Sequence, residues 1–147
     1  KEQTNYYNKI IKKTFTEKEP DIIIFSYLLD DVCIGYGGLT NIDWISKKAE
    51  ISFIVNTTRY SNSEIYQKDF QCFLNIITQL SFDELKLNRL FTETYDVRGL
   101  HIKILESMGF ELEGKIKQHV NIKDKFVDSK IHGYNRKQYI EKQKNFH

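Results

Sequence analysis

The sequence predicts an α+β domain built on a mixed sheet, and three observations support this. Six segments have the alternating or β-branched pattern of strands, and three have the 3.6-residue spacing of helices. In chain order they run α-β-β-β-α-β-α-β-β, which mixes both types around one sheet. One proline, seven glycines and no low-complexity segment give no sign of a linker. We therefore expect a single domain over residues 1–147.

The first half of the chain holds most of the predicted sheet. The predicted elements there are a helix over Thr4 to Phe15, strands over Ile22 to Leu29, Val32 to Thr40 and Ala49 to Val55, a polar loop over Asn56 to Asn62 and a long helix from Ser63. Asp30-Asp31 forms the turn of a hairpin, and Asn62 or Ser63 caps the long helix. Gly37 and Gly38 predict a bulge or a close backbone approach.

The second half begins with another strand. The predicted elements are a strand over Arg89 to Tyr95, a helix marked by Leu100, Ile104, Leu105 and Met108, strands over about Phe110 to Asn121 and Phe126 to Tyr134, and a charged tail from Arg136 that can continue as a frayed helix. Gly109 suits the left-handed residue that ends a helix. Lys123-Asp124 predicts a second hairpin turn.

Composition excludes several classes of function. The net charge is +2 with scattered basic residues, so we expect neither nucleic acid nor membrane as a partner. The longest apolar run, IIIFSYLL, has eight residues, far below the roughly 18 that span a bilayer. No signal peptide is seen, and we expect a cytoplasmic protein. Cys33 and Cys72 have no metal-binding spacing and predict two buried, reduced thiols.

Four motifs resemble a known family. The most specific is ILESMGFELEG, and the others are IGYGGLTNID with AEISFIV, FDELKLNRLFTET and EGKIKQHVNIKDKFVD. Together they resemble the GNAT acetyltransferase superfamily, in the branch with ribosomal-protein N-terminal acetyltransferases and amino-sugar N-acetyltransferases. The resemblance covers about Ile22 to Asn135. It implies a mixed, mostly antiparallel sheet flanked by helices, without the family's first strand and helix, so the domain is expected to be N-terminally incomplete.

The resemblance implies an activity. We expect direct transfer of acetyl from acetyl-CoA, as co-substrate, to a primary amine, with no metal and no covalent acyl-enzyme. The acceptor partner would be a small molecule or a peptide, either a nucleotide-linked amino sugar or a protein N-terminus, and a homodimer is allowed. The alternative is a non-catalytic GNAT-like module that binds a ligand or partner.

The resemblance also implies where acetyl-CoA binds. The end of the third strand, Phe53, Ile54 and Val55, would hydrogen-bond the pantetheine arm and present a backbone N–H to the thioester oxygen. Arg98 stands where the family usually has an asparagine that touches the cofactor, so it would reach the phosphates or the adenine. The alternative for Arg98 is an exposed arginine at a helix start.

The phosphates would lie at the start of the long helix, where N–H groups and the dipole attract anions. The family's loop there reads like R-G-x-G. This chain has no glycine at those places, and about five residues look inserted. The candidate phosphate contacts are Arg59, Ser61, Ser63 and Lys68. The alternative is an ordinary solvated helix start.

The catalytic candidates are two carboxylates and a hydroxyl. Glu50, in a mid-strand apolar run, would take the proton from the acceptor amine, or it pairs with a lysine. Glu93 on the neighbouring strand is the second candidate. The family's usual proton-donating tyrosine is replaced by Leu105. Tyr95 is therefore the candidate donor, although a structural role is the alternative for it and for two other nearby hydroxyls, Ser107 and Tyr134.

One further pair faces across the last predicted hairpin. If Lys123-Asp124 is its turn, His119 lies opposite Asp128. A His–Asp pair can belong to a catalytic diad. Because no serine or cysteine nucleophile accompanies it in a known motif, a structural cross-strand pair is favoured.

Overall fold

The computed structural model describes residues 18–146 and contains one six-stranded sheet of order β1-β2-β3-β4-β6-β5. The strands are β1 Ile23–Leu29, β2 Val32–Asp43, β3 Lys48–Val55, β4 Arg89–Tyr95, β5 Glu111–Ile122 and β6 Lys125–Asn135. The helices within these residues are α1 Thr57–Ser61, α2 Ser63–Gln79, α3 Gly99–Ser107 and α4 Arg136–Lys144, and a π-helical turn, Leu80–Glu84, follows α2. The predicted helix over Thr4 to Phe15 lies outside the described residues.

The sheet is mostly antiparallel, as predicted. Both predicted hairpin turns are confirmed, because Asp30 and Asp31 have φ of 49° and 64°, and Lys123 and Asp124 have φ of 48° and 62°. Two successive residues with positive φ give a turn whose twist matches that of the strands. One neighbouring pair, β3 with β4, is parallel. That pair is connected through α1 and α2, which cross from one strand to the other.

The core lies between the sheet and α2. Phe53 of β3 stacks on Phe70 and Phe73 of α2, with ring centroids 5.1 and 4.6 Å apart. Helix α2 begins at a cap that the sequence predicts, since the side chain of Asn62 accepts from the backbone N–H of Ile65. Helix α3 ends before Gly109, which has the predicted left-handed conformation with φ +102°. No helix among residues 18–146 is long and apolar enough to cross a bilayer.

The predicted close backbone approach is at Gly38, where a Cβ would overlap the carbonyl oxygen of Ile23, whereas Gly37 packs against a side chain. A Cβ at Gly37 would overlap the ring of Phe73, which is held by its stack on Phe53. We expect Gly37→Ala to destabilise the fold by about 2–3 kcal/mol, as overpacking typically does, and to lower the Tm by about 4–12 °C. The matched control is Gly114→Ala, because a Cβ at Gly114 meets nothing within 4 Å. Equal Tm values for the two variants would contradict the packing argument.

Three local predictions are wrong. The predicted loop over Asn56 to Asn62 contains α1, which Asn56 caps by accepting from the N–H of Arg59. Cys33 and Cys72 are both free, but they are exposed rather than buried. The physical reason is that Cys33 lies at the tip of a hairpin and Cys72 on the outer face of α2.

The His119–Asp128 pair is also not formed. The register of β5 against β6 shifts between Ile116 and Val120, and this bulge turns His119 toward Glu93, 3.2 Å away. Asp128 accepts instead from the backbone N–H of Gln118 at 2.8 Å. A bulge inserts residues without partners and re-aims the side chains that follow it.

Candidate active site

The sheet opens between its two parallel strands. Hydrogen-bond pairing of β3 with β4 covers only Lys48 to Glu50 against Arg89 to Phe91. Beyond these residues β3 continues to Val55 and β4 to Tyr95 without pairing to each other. The two strand ends therefore diverge and leave a cleft in the middle of the sheet.

The free edge of β3 presents backbone groups to this cleft. On the other edge, Asn56 donates its N–H to the carbonyl of Ile34 in β2 at 2.8 Å. In an antiparallel pair, successive residues direct their backbone groups to alternate sides. The backbone N–H and C=O groups of Ile54 therefore point to β2, while those of Phe53 and Val55 point to the cleft.

Two cavities occupy the cleft. The first, the carboxylate cavity, has a volume of about 220 Å³ and is lined by Thr40, Glu50, Ile51, Ser52, Phe53, Phe70, Thr92, Glu93, Arg98 and His101. The second, the aromatic cavity, has a volume of about 230 Å³ and is lined by Phe53, Ile54, Val55, Thr57, Tyr60, Tyr66 and Arg98. Phe53 and Arg98 line both. These two residues mark the place where the cavities meet.

A chain of hydrogen bonds links Arg98 to Tyr66, which lines the aromatic cavity, and to His101, which lines the carboxylate cavity. Arg98 donates from Nη2 to the hydroxyl oxygen of Tyr66 at 3.0 Å, and that hydroxyl lies 2.6 Å from Nδ1 of His101. Because a guanidinium cannot accept a hydrogen bond, the hydroxyl proton of Tyr66 points to Nδ1. His101 is thereby assigned as the tautomer that carries its proton on Nε2. The guanidinium carbon of Arg98 also lies 5.6 Å from the ring centroid of Tyr60.

Burial fixes the protonation of this chain. Burial raises the pKa of Tyr66 to about 12, against the lowering effect of Arg98, so its hydroxyl stays protonated at neutral pH. Burial, followed by the charges of Arg98 and His132, lowers the pKa of His101 from 6.5 to about 3. The imidazole of His101 is therefore neutral and can accept from Tyr66.

His101 gives the fold a pH dependence. Between pH 3 and 6.5 the unfolded chain binds a proton at His101 that the folded chain does not. Stability from this group is present above pH 6.5 and is lost as the pH falls toward 3. At pH 4.5, two units below the ordinary pKa of 6.5, we expect the loss from His101 to be about 3 kcal/mol, in addition to that from carboxylates that titrate in the same range. Urea unfolding between pH 4.5 and 7.5 measures it.

His101→Asn keeps an acceptor for Tyr66 but removes the titration, so its stability should change less over this pH range. His119→Asn is the matched control, because His119 is exposed and lies on β5. If His101→Asn kept the full pH dependence of the wild type, the assignment to His101 would be wrong.

The two predicted carboxylates lie in the same cavity. Glu50 is half-buried and accepts from the side-chain amide of Asn41 at 2.7 Å. Glu93 is exposed and pairs with His119. Glu50 is thus held by a neutral donor, and no lysine pairs with it within residues 18–146. Tyr95, the candidate proton donor, is 42% exposed at the end of β4 and lines neither cavity.

The predicted cofactor residues divide into two groups. Phe53, Ile54, Val55 and Arg98 line the aromatic cavity. The candidate phosphate residues Arg59, Ser61, Ser63 and Lys68 line neither cavity.

Arg59 and Ser61 already have protein partners. Arg59 forms a bidentate pair with Asp69 at 2.5 and 2.8 Å, and Ser61 donates to the carbonyl of Thr57. Ser63 and Lys68 are exposed on α2. The five residues of α1 account for the inserted residues between strand and long helix, and α1 carries the Arg59 side chain toward Asp69.

Among the lining residues that sequence reasoning missed, Tyr60, Tyr66 and His101 contact Arg98 or its hydrogen-bond partner. Tyr66 and Phe70 are one helical turn apart on the buried stripe of α2, so they read as core. The available signal was the hydroxyl of Tyr66, because a buried tyrosine usually needs a hydrogen-bond partner. No local pattern connects it with His101, which is 35 positions away.

A larger groove lies at the other end of α2, between α2 and α4. It has a volume of about 630 Å³. The hydroxyl of its Tyr139 donates to Asp83 at 2.8 Å, and no pair of carboxylates converges with an arginine there. Within residues 18–146, no three His, Cys, Asp or Glu side chains gather as metal ligands. The cleft between β3 and β4 is therefore the candidate active site.

Known structures share this architecture. Two solved structures of the spermidine/spermine N-acetyltransferase SpeG from Vibrio cholerae are similar to the chain. One contains mutant forms (TM-score 0.78, 21% identity, covering 96% of this chain and 79% of that chain), and the other is a complex with manganese ions (0.80, 19%, 96% and 77%). A dodecameric structure of spermidine N-acetyltransferase from Vibrio cholerae is also similar (0.78, 22%, 96% and 77%). At these identities the structural similarity establishes the fold alone.

No curated protein sequence matches the chain significantly. The narrower resemblance to the ribosomal-protein and amino-sugar branch stays a prediction. The family model described as "Acetyltransferase (GNAT) domain" matches residues 1–131. The chain therefore belongs to the GNAT family of acetyl-CoA-dependent N-acetyltransferases.

Proposed function

We propose that the chain transfers acetyl from acetyl-CoA to a primary amine bound in the carboxylate cavity. The observation that carries the proposal is the meeting of two cavities at Phe53 and Arg98. One cavity would admit the acetyl donor and the other the acceptor, so the thioester and the amine would meet at this junction. Holding both reactants in one place supplies much of the rate enhancement of a two-substrate reaction.

The free edge of β3 fits the donor. The pantetheine arm contains amide groups, and an extended chain with amides can pair with an open strand edge. The C=O of Phe53 and the backbone groups of Val55 would supply these hydrogen bonds. The phosphates would lie toward the starts of α1 and α2, where Lys68 would supply positive charge. Arg59 is close to the same place, but its guanidinium already forms hydrogen bonds with Asp69.

The residues of the carboxylate cavity have distinct proposed roles. Glu50 would take a proton from the ammonium of the acceptor, directly or through water. The N–H of Phe53 would stabilise the negative charge that develops on the carbonyl oxygen. Glu93, two positions beyond Phe91, the last residue of β4 that pairs with β3, would anchor the acceptor.

We propose a cationic acceptor. Two carboxylates, Glu50 and Glu93, line the acceptor side and favour an amine that carries further positive charge, as in spermidine, the substrate named for the similar Vibrio cholerae enzymes. A nucleotide-linked amino sugar carries phosphates that these carboxylates would repel. A protein N-terminus is the remaining candidate from the sequence resemblance.

The test is an acetyl-transfer assay with three acceptors: spermidine, a nucleotide-linked amino sugar and a peptide with a free N-terminus. Mass spectrometry detects the acetylated product, and thiol release gives its rate. We expect turnover to be greatest with spermidine. Turnover with only the sugar nucleotide would contradict the cationic acceptor. Binding of acetyl-CoA without transfer to any amine would favour the non-catalytic module.

A further inference from the structure

We propose that Arg98 stabilises the departing thiolate of coenzyme A, and that Tyr66 and His101 hold Arg98 in position for this. The inference rests on the proposed function and adds a role for a residue that the sequence assigns to the phosphates or the adenine. It also names what replaces the family's proton-donating tyrosine, whose place is taken by Leu105.

Position is the first argument. Arg98 lines both cavities together with Phe53, so it lies where the thioester would be, rather than at the outer end of the aromatic cavity. Phe53 contributes backbone groups and an apolar ring. Arg98 is thus the positively charged side chain at the junction of the two cavities, within residues 18–146.

The free charge of Arg98 is the second argument. Arg59 and Arg89 each form a pair with a carboxylate, namely Asp69 and Glu113. Within residues 18–146, Arg98 has no carboxylate partner within 4.0 Å, and its hydrogen bond goes to the neutral hydroxyl of Tyr66. Arg98 is therefore held in place without a direct carboxylate contact, which leaves its guanidinium available to an anion.

The hydrogen-bond chain explains how Arg98 is held. Tyr66 is 2% exposed and His101 is 8% exposed, so both are fixed by packing. The ring of His101 stacks on Phe70 at 4.2 Å. His101 receives the only hydroxyl proton of Tyr66, which turns the oxygen lone pairs toward Arg98. Tyr66 and His101 are therefore positioning residues.

Proton transfer from Tyr66 to sulfur is the weaker alternative. The pKa of Tyr66 is raised to about 12 by burial, whereas an ordinary thiol has a pKa of about 8.5. Moving the proton from this hydroxyl to the thiolate is uphill by a factor of about 10³. Stabilising the thiolate by the charge of Arg98 requires no such transfer.

The step balances without another reactant. The nitrogen of the neutral amine forms a bond to the carbonyl carbon, and the carbon–sulfur bond breaks with its electron pair left on sulfur. Because Glu50 already holds the proton taken from the ammonium, the nitrogen loses its remaining extra proton to water. The thiolate stays beside Arg98 until it takes a proton from solvent.

The test measures the acidity of bound coenzyme A and needs no acceptor. Thiolate absorbance is followed against pH for the coenzyme A complex, and the spectrum of the complex with desulfo-coenzyme A is subtracted. This removes the contributions of tyrosines and of Cys33 and Cys72. An opposite charge within about 4–6 Å lowers the pKa of an acid by about 1–3 units. We therefore expect the acid dissociation constant of the bound thiol to be about tenfold or more above that of the free thiol.

Variants test whether Arg98 causes the increased acidity of the bound thiol. Arg98→Met should return the thiol to the acidity of free coenzyme A, and Tyr66→Phe should return it part of the way, because Arg98 then loses its anchor. Lys103→Met is the matched control, since Lys103 is exposed on α3, the helix that Arg98 immediately precedes, and it should leave the acidity unchanged. The wild-type measurement stands even if a variant fails to fold.

The outcomes separate the two claims. If coenzyme A binds wild type with the acidity of the free thiol, the role of Arg98 is wrong while the proposed function stands. If Arg98→Met weakens binding of coenzyme A and desulfo-coenzyme A equally without changing the acidity, Arg98 binds another part of the molecule. If neither ligand binds, both the inference and the proposed function are overturned.

Discussion

Replacing Glu50 with glutamine is expected to lower kcat for acetyl transfer by about 10²–10⁴-fold, the typical contribution of a general base. Glutamine keeps the size of the side chain and can still bond with the amide of Asn41, which contacts Glu50 at 2.7 Å. It cannot take a proton from the acceptor. Affinity for acetyl-CoA should therefore be nearly unchanged, and steady-state kinetics together with calorimetry of acetyl-CoA binding separate the two effects.

Glu93→Gln is the matched comparison, because Glu93 lines the same cavity but is exposed and paired with His119. We expect it to raise the KM for the acceptor more than it lowers kcat, since its proposed role is to anchor the amine. If Glu50→Gln retained wild-type kcat across pH 6 to 9 and Glu93→Gln did not, the base would be Glu93.

Replacing Arg59 with methionine is expected to destabilise the fold by about 3 kcal/mol, because it leaves the carboxylate of Asp69 buried without its partner. The two side chains are 22% and 9% exposed, and the pair is bidentate. For a chain of this size the Tm should fall by about 6–12 °C. Thermal unfolding followed by circular dichroism measures the change.

The double variant Arg59→Met with Asp69→Asn provides the control. It removes both charges, so most of the stability should return, because much of the loss in the single variant comes from the unpaired charge. This stable variant then tests the predicted phosphate role of Arg59. Unchanged affinity for coenzyme A would assign Arg59 to the fold alone, whereas no recovery of stability would contradict the buried-pair argument.

The sheet and its turns were largely predictable, because they depend on local chemistry. Alternating side chains define the strands, and Asp30-Asp31 and Lys123-Asp124 adopt the positive φ that two-residue hairpins require. Helix α1 was not predicted, since four polar residues and one tyrosine have no hydrophobic period. The bulge that re-aims His119 was missed for a related reason, as register depends on how two strands pair over their whole length.

The candidate site was predictable only in part. The backbone of Phe53 and Val55 and the carboxylate of Glu50 follow from strand position and from the family resemblance. The chain from Arg98 through Tyr66 to His101 depends on tertiary contacts between α2 and the start of α3. Arg59 satisfied the sequence criterion for a phosphate contact, but the nearby carboxylate of Asp69 binds it in the fold.

The most direct test of the central claim is a structure of the chain with coenzyme A bound. We expect the pantetheine arm to pair with the free edge of β3 at Phe53 and Val55, and the sulfur to lie beside Arg98 where the two cavities meet. Coenzyme A bound in the groove between α2 and α4, or no binding at millimolar concentration, would contradict the assignment of the cleft between β3 and β4 as the active site.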